Sequence, residues 1–447
     1  MRRTLIGLAG LITLIAIVYA RVNLHGKQEW ENAKREMAAK GEVLDWSVYL
    51  PEPVPDDQNI FKAPKMAEWF GDDRSVADAP LDYPITNSFA RRYANPDSTR
   101  EIQTAEAAAK YLAWSDQFQD DFDTIAAALK RPYARIVADY SQPFSIAFPN
   151  VTTLSVVVKT LVQRAKCHLI LGQPEKAWQE LVLLHDLRRI VEAQGKFITT
   201  EGAWMRRELA RHSLQVIAKG LELHTWREPQ LIVLQDQLRD SDFVVLHVEA
   251  LKCARALILG SLEKGALYRA EFTSGGQNVW TRFKKHPELL LIVLAPRGVM
   301  YEKAASGSTN FRQMISALSP TNGVIHPEAA SKAFASWKRA QQGLPSLLRV
   351  QTLVSEAEVA CALERYRLAH GEYPETLGRL VPEFIQKLPV DIINGNSLTY
   401  RRTKDGSFIL YSVGWNETDD GGNSMPGGGD PKNLTIGDWV WENSKPE

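Results

Sequence analysis

The densest set of side chains able to do chemistry lies near the C-terminus. There, Gly414 to Asp438 holds seven glycines together with Asn416, Glu417, Asp419, Asp420, Asn423, Asp430 and Asp438. These are hard oxygen donors on a stretch with little apolar content, and so many like charges repel one another at close range. A bound Ca²⁺ would answer both problems. It takes about six to eight oxygens from carboxylates, amides and backbone carbonyls, and glycines let the main chain approach it. The alternative is a solvated loop whose acids simply face water, because the spacing is not that of an EF-hand.

No other stretch offers a reaction. There is no phosphate-cradling Gly-x-x-x-x-Gly-Lys-Ser/Thr, no His-Glu-x-x-His and no Gly-x-Ser-x-Gly. Neither His185-Asp186 nor His247-x-Glu249 has further ligands beside it, and the hydroxyls of Ser306 to Asn310 and Ser319 to Gly323 read as loop chemistry without a partnered base. Cys167, Cys253 and Cys361 fall in helical, apolar contexts whose spacing suits neither a disulfide framework nor zinc, so buried free thiols are expected. A triad assembled through space would leave no local motif. An enzyme is therefore the alternative, a hydrolase with its cleft between the helical part and the C-terminal module, and a non-catalytic protein is the first reading.

The elements that must position the acidic loop are legible. After Gly343-Leu344-Pro345, apolar residues at Leu347, Val350, Val354, Ala357, Cys361 and Leu368 lay one stripe along a helix. Pro345 suits its first turn and Gly371 its end. A short helix is expected around Glu375 to Val381. Two β-rich runs follow, Ser397 to Arg402 and Ser407 to Val413, joined by Thr403-Lys404-Asp405-Gly406, where Asp-Gly supplies a hairpin turn.

These residues carry a family resemblance. The series Ala362 to Pro374 (ALERYRLAHGEYP), then Leu377, Leu380 and Leu388-Pro-Val-Asp391, then Leu398-Thr-Tyr400, Leu410-Tyr-Ser-Val-Gly414, Asp420-Gly-Gly422 and Asp438-Trp439 resembles the soluble half of the major pseudopilin of type II secretion systems. The likeness covers about the last quarter of the chain. It implies a helix, a "YR…G.YP" turn and a sheet ending in a calcium loop. Carried over by position, the side-chain ligands are Asn416, Asp419, Asp420 and Asp438, with a backbone carbonyl near Leu410 to Ser412.

Departures from the family pattern stand beside the matches. Asn416 replaces the family's usual Asp, and Glu417 replaces the glycine after it. The closing Asp-Ile-x-x-Trp fits either Thr435-Ile436 with Trp439 or Asp438 with Trp441. Pilins also begin with a basic leader, a Gly-Phe cleavage point and a glutamate inside the hydrophobic helix. Here the hydrophobic segment follows Met1-Arg2-Arg3 directly and holds no acid, and about 320 residues separate it from the pseudopilin-like part. An ordinary filament subunit is not expected.

That segment, Thr4 to Ala20, runs 17 residues without a charge. It reads as a single-pass inner-membrane anchor, with the N-terminus in the cytoplasm and the bulk of the chain in the periplasm. A cleaved signal peptide ending at Val18-Tyr19-Ala20, which would leave an exported soluble protein, is the alternative. Lys27 to Glu42 reads as a short exposed helix leaving the membrane, and the proline-rich, aromatic-bearing Val43 to Ser98 as an extended strap along a helical domain. Within that domain, helices fit Thr104 to Lys130, Val151 to Leu171, Glu175 to Ala193, Glu201 to Leu223, Pro229 to Leu238 and Phe243 to Lys264. Leu169, Leu171, Gly172, Ala177 and Trp178 resemble one tetratricopeptide-like turn without a second copy. Leu289 to Ala295 is an apolar run suited to a buried or interfacial helix.

With 53 basic and 53 acidic residues, no net field favours nucleic acid. The expected fold is mainly α with a C-terminal α+β module. It divides into an anchor (1-26), an exposed helix and strap (27-103), a helical bundle or hairpin-stack domain (104-343) and the pseudopilin-like module (344-447). The partners expected are the membrane and envelope or secretion proteins, with a helical peptide-binding adaptor as a further alternative.

Overall fold

The first helix sets the geometry of the N-terminal half. In the computed structural model, which describes residues 2–71, 88–93, 101–136, 151–192, 199–264, 295–320, 322–426 and 433–441, α1 runs unbroken over Arg2–Ala39. Its N-terminal part is long and apolar enough to cross a bilayer or to serve as a signal sequence, and none of that window is buried. The remainder is amphipathic. Trp30 and Met37 are fully buried with Ala33 packed between them, a seven-residue spacing that keeps one face turned to a neighbour. The exposed helix expected over Lys27 to Glu42 is therefore corrected. It is the second half of α1, bound to the protein by its apolar face, and the expected boundary at 26/27 falls inside this one helix.

The described part of the segment read as a strap, 43–71, folds into short helical turns rather than an extended run. Prolines keep Val43 to Gly71 in short turns, and Ile60, Phe61, Met66, Trp69 and Phe70 enter the core. Asn59 fixes it in place. Its side chain accepts from the Phe61 and Arg135 N–H groups and donates to the Arg135 carbonyl. Short helices α2 (Met66–Phe70) and α3 (Ser88–Arg92) belong to this region, while 72–87 lie outside the described residues.

The helical part comprises α4 (Ala105–Ser115), α5 (Gln119–Ala128), α6 (Val151–Ile170), α7 (Pro174–Leu187), α8 (Arg189–Glu192), α9 (Thr200–Glu222), α10 (Glu228–Arg239) and α11 (Phe243–Lys264). Gly172 at φ 67° turns α6 into α7. Trp226 folds back beneath Gly220, where no Cβ would fit, and donates to the Ile217 carbonyl, closing α9 onto α10. Arg164, almost wholly buried, donates to Glu180, Ser115 and Asp116 and so braces α6 against α7 and α4. All three cysteines are buried.

Two expectations fail here. Ser306 to Asn310 is not a loop but the middle of α12 (Arg297–Leu318). The small residues serve close packing, with Gly307 against Leu259 of α11 and the buried Ser308 hydroxyl donating to the Ala305 carbonyl. The apolar run before α12 lies outside the described residues up to 294. After α13 (Pro327–Ala333), α14 spans Lys338–His370, beginning two turns before the expected start. Pro345 sits inside it, and the expected boundary at 343/344 falls within the helix. Leu347, Val350, Val354, Ala357 and Cys361 are buried as expected, whereas Leu368 is exposed.

Helix α14 packs on α9, α10 and α11. It ends at Gly371 with φ 82°, and a 3₁₀ turn at Leu377–Leu380 precedes a three-stranded antiparallel sheet in the order β1 (Thr399–Arg402), β2 (Phe408–Ser412), β3 (Trp439–Val440). The β1–β2 hairpin turns at Gly406, φ 83°. The main core is continuous, taking residues from α1, the strap, the helical part and the sheet.

Two histidines make the helical part acid-sensitive. Burial, aided by Arg211 beside His212 and Arg207 near His247, pushes both imidazoles down to about 4 from an ordinary 6.5. The folded state keeps them neutral while the unfolded chain protonates them below 6.5, so stability falls as pH drops from 6.5 to 4 and levels off below. Each contributes on the order of 2 kcal/mol across that window. Urea titrations at pH 7 and pH 4.5 are expected to show the loss, and His247→Phe to remove about half of it. An equal pH dependence in wild type and variant would exclude the assignment.

Candidate functional site

Strand β2 is buried along its whole length, and it fixes where the acidic loop starts and ends. Tyr411 and Ser412 pair with Val440 and Trp439 of β3, so the loop between them must close on itself. Gly414 turns at φ 69°, where a Cβ would strike the Gly437 carbonyl. Glu417 adopts φ 57°, a conformation that glycine takes more readily than a glutamate does.

The four expected ligand residues come together around this turn. Asp438 is 1% exposed. Its Oδ1 accepts from the Asp420 N–H at 3.1 Å and its Oδ2 from the Gly422 N–H at 2.7 Å. Asn416 Nδ2 donates to Asp420 Oδ2 at 2.9 Å. Asp419 Oδ1 accepts from the Tyr411 hydroxyl and the Gly421 N–H, both at 2.9 Å. Burial raises the Asp438 carboxyl above its ordinary value, and the charges of Asp419 and Asp420 add to that while the two N–H groups oppose it. The same neighbourhood pushes the Tyr411 phenol up to about 12, burial first and Asp419 next.

In kind, three carboxylates and an amide are the oxygen set of a hard cation, and their mutual repulsion is what such an ion would relieve. In arrangement, each carboxylate is already engaged with a donor of the loop. Among the described residues no group of three His, Cys, Asp or Glu side chains is placed to hold a metal ion. The Leu410 carbonyl accepts from the Trp441 N–H at 2.9 Å, so that atom serves the sheet edge. Asp430 lies outside the described residues.

Several buried polar groups hold the module in place, and spacing alone singled out none of them. Asp391, 2% exposed, accepts from the Ile393 and Val413 N–H groups at 2.9 and 3.2 Å, fastening the segment before β1 to the end of β2. Arg349 pairs with the buried Glu356 at 2.8 Å and donates to the Val440 carbonyl at 2.7 Å, tying β3 to α14. Glu364, 1% exposed, accepts from the Tyr373 hydroxyl at 2.9 Å and from Arg367 at 2.7 and 2.9 Å, with His224 Nδ1 at 3.1 Å. His224 belongs to the α9–α10 turn and sits at φ 51°. Nearby, Arg365 reaches Gln235 and the Phe384 carbonyl, each at 2.9 Å.

A second close contact lies at the other end of the chain. A Cβ on Gly26 of α1 would collide with the backbone of Gly298 in α12, and one on Gly298 would collide with Val22 and Asn23. The two main chains touch there, and Asn23 Oδ1 accepts from the Gly298 N–H at 2.7 Å. Further along, Lys34 reaches Glu263 at 2.9 Å, Arg312 bridges Glu36 at 2.6 Å and Glu42 at 3.2 Å, and Arg255 meets Glu42 at 2.8 Å. The signal for this contact is present in sequence as two isolated glycines, but nothing local says that they meet.

Comparisons with family models, curated proteins and solved structures return no match to the chain.

Proposed function

We propose that the chain is a non-catalytic bacterial envelope protein, anchored in the inner membrane by α1, that presents a folded periplasmic body for contact with a pseudopilus-related or other secretion apparatus. The observation that carries this reading is the continuity of α1, bare and apolar over its first half and packed against α12 through touching backbones over its second. From Ala20 to Gly26 the helix rises only about 9 Å. With a hydrocarbon edge near Ala20, the body begins at the outer limit of the headgroup layer. A flexible tether would let the body wander. This attachment instead fixes its height and its orientation, which suits a component that must meet neighbours in register.

The order helix, Tyr-Pro turn, hairpin, acidic loop supports the link to pseudopilins, as does the left-handed Glu417 where that family has glycine. Calcium belongs to the same reading. Asp419, Asp420 and Asp438, with Asn416, would hold it, and the ion would neutralise the loop and stiffen the surface it presents. The test is thermal melting of the full chain in nanodiscs, with EDTA and then calcium or magnesium returned. A calcium-specific rise, absent in the Asp419→Ala, Asp420→Ala double variant, is expected. With EDTA, the raised Asp438 carboxyl contributes stability that grows as pH falls toward its folded value, opposing the loss from the two buried histidines, and Asp438→Asn is expected to remove that opposing contribution. Equal melting with either ion would remove calcium from the proposal.

Anchoring is tested separately by alkaline carbonate extraction of cells. Full-length chain retained in the washed membranes is expected, and a soluble chain shortened by about 20 residues would overturn the reading in favour of signal cleavage.

A further inference from the structure

A protein that acts by contact needs a surface for it. The helical part contains a groove of about 560 Å³ between α7, α9, α10 and α11, with Val354 of α14 in its lining. Its floor is apolar, with Leu234, Leu238 and Phe243 buried in it. Two further apolar side chains, Val233 at 41% and Val245 at 56%, stand exposed in its lining and spend that area on water. The rim on the α10–α11 side is acidic, carrying the exposed Asp236, Asp240 and Asp242, with Glu249, paired with Lys252, about two turns into α11. Asp242 caps α11 by accepting from the Val245 N–H, and Asp236 pairs with Arg239. On the α7–α9 side stand Arg188 and Arg206.

We propose that this groove docks an amphipathic helix of a protein partner, apolar along one face and carrying Lys or Arg on the flank that meets Asp240 and Asp242. The inference rests on reading the chain as a contact protein. Three features choose the occupant. The walls are α7, α9, α10 and α11 with the α10–α11 turn at the rim, and none of the described lining residues lies in a strand, so an extended segment would find no ladder to join, whereas a helix satisfies its own backbone. Val233 and Val245 stand exposed above an apolar floor, a surface that matches a Leu or Val stripe along one face of a helix. The opposed charges of the two sides fix which way round the helix lies.

The test uses the full chain in phosphatidylcholine nanodiscs and a dye-labelled synthetic peptide with Leu at helical spacing and Lys on one flank. A second peptide carries Glu in place of Lys, and empty nanodiscs provide the blank. Saturable binding above the blank is expected for the Lys peptide and at least about tenfold weaker binding for the Glu peptide. Val245→Asp is expected to weaken the Lys peptide by about tenfold or more, and Asp240→Lys to narrow the preference for the Lys peptide by about threefold or more, both at unchanged melting temperature because the two residues are exposed. Binding no stronger than to empty discs, or equal binding of both peptides that Val245→Asp leaves intact, would overturn the proposal. Either failure leaves the anchoring result standing.

Discussion

Gly26→Leu is expected to separate α1 from α12 and to lower the stability of the full chain by about 4 kcal/mol or more. The side chain has nowhere to go, since the Gly298 backbone already fills the position of its Cβ. The helices must part. With them go the burial of Trp30 and Met37, each side chain worth about 2 kcal/mol or more, and the packing around the Glu42, Arg255 and Arg312 ion pairs. Limited trypsin digestion should then cut the variant at Lys27, Lys34 or Arg35, sites that wild type protects. Gly10→Leu is the control, because nothing lies within 4 Å of that position, and it should leave melting and digestion unchanged. An intact, protease-resistant Gly26→Leu protein would show that α1 is not held as described.

Glu364→Ala is the second large effect, expected at about 3–5 kcal/mol. One buried carboxylate serves Tyr373, Arg367 and His224, so its removal strands a buried phenol and a cation at once, and that loss exceeds the worth of any single bond. The consequence is local before it is global. Tyr373 starts the segment leading to the hairpin, and His224 joins that segment to the α9–α10 turn. Amide exchange should therefore accelerate over Tyr373 to Tyr411 and over the α9–α10 turn, with α4 to α6 little changed. Glu364→Gln keeps two acceptor lone pairs and should lose roughly half as much. Uniform acceleration across the chain would mean that the cluster is not a local clamp.

What could be read in the sequence was what local spacing records. Most helices between Ala105 and Lys264 follow their apolar periods, but the single helix expected over Thr104 to Lys130 is broken by a 3₁₀ turn at Asp116–Phe118 and the one expected over Glu175 to Ala193 is broken at Arg188; Asp405-Gly406 placed the hairpin to within a residue or two. The failures share a cause, in that tertiary packing overrode local preference. Ser306 to Asn310 carries turn residues, yet it is helical because small side chains let α12 approach α11. Charged residues between Lys27 and Glu42 suggested an exposed helix, but several of them are ion-pair partners across an interface. Pro345 suggested a helix start and lies inside one instead. In the acidic loop, composition drew attention to the stretch and the family resemblance singled out four of its residues, while their arrangement around Asp438 depends on turns at Gly414 and Gly437 that only the closed sheet imposes. Glu364 with His224, 140 positions apart, and the groove between α7, α9, α10 and α11 are assembled through space and left no local trace.

The proposed placement of the body outside the membrane is tested most directly by labelling single cysteines in spheroplasts with a membrane-impermeant maleimide, the three native cysteines being buried. Gln28→Cys and Leu24→Cys should label from outside without lysis, whereas Ile12→Cys should not label and Arg3→Cys should label only after lysis. Labelling of Arg3→Cys in intact spheroplasts, protection of Gln28→Cys, or release of the chain into the medium would contradict an anchored protein with its folded body in the periplasm.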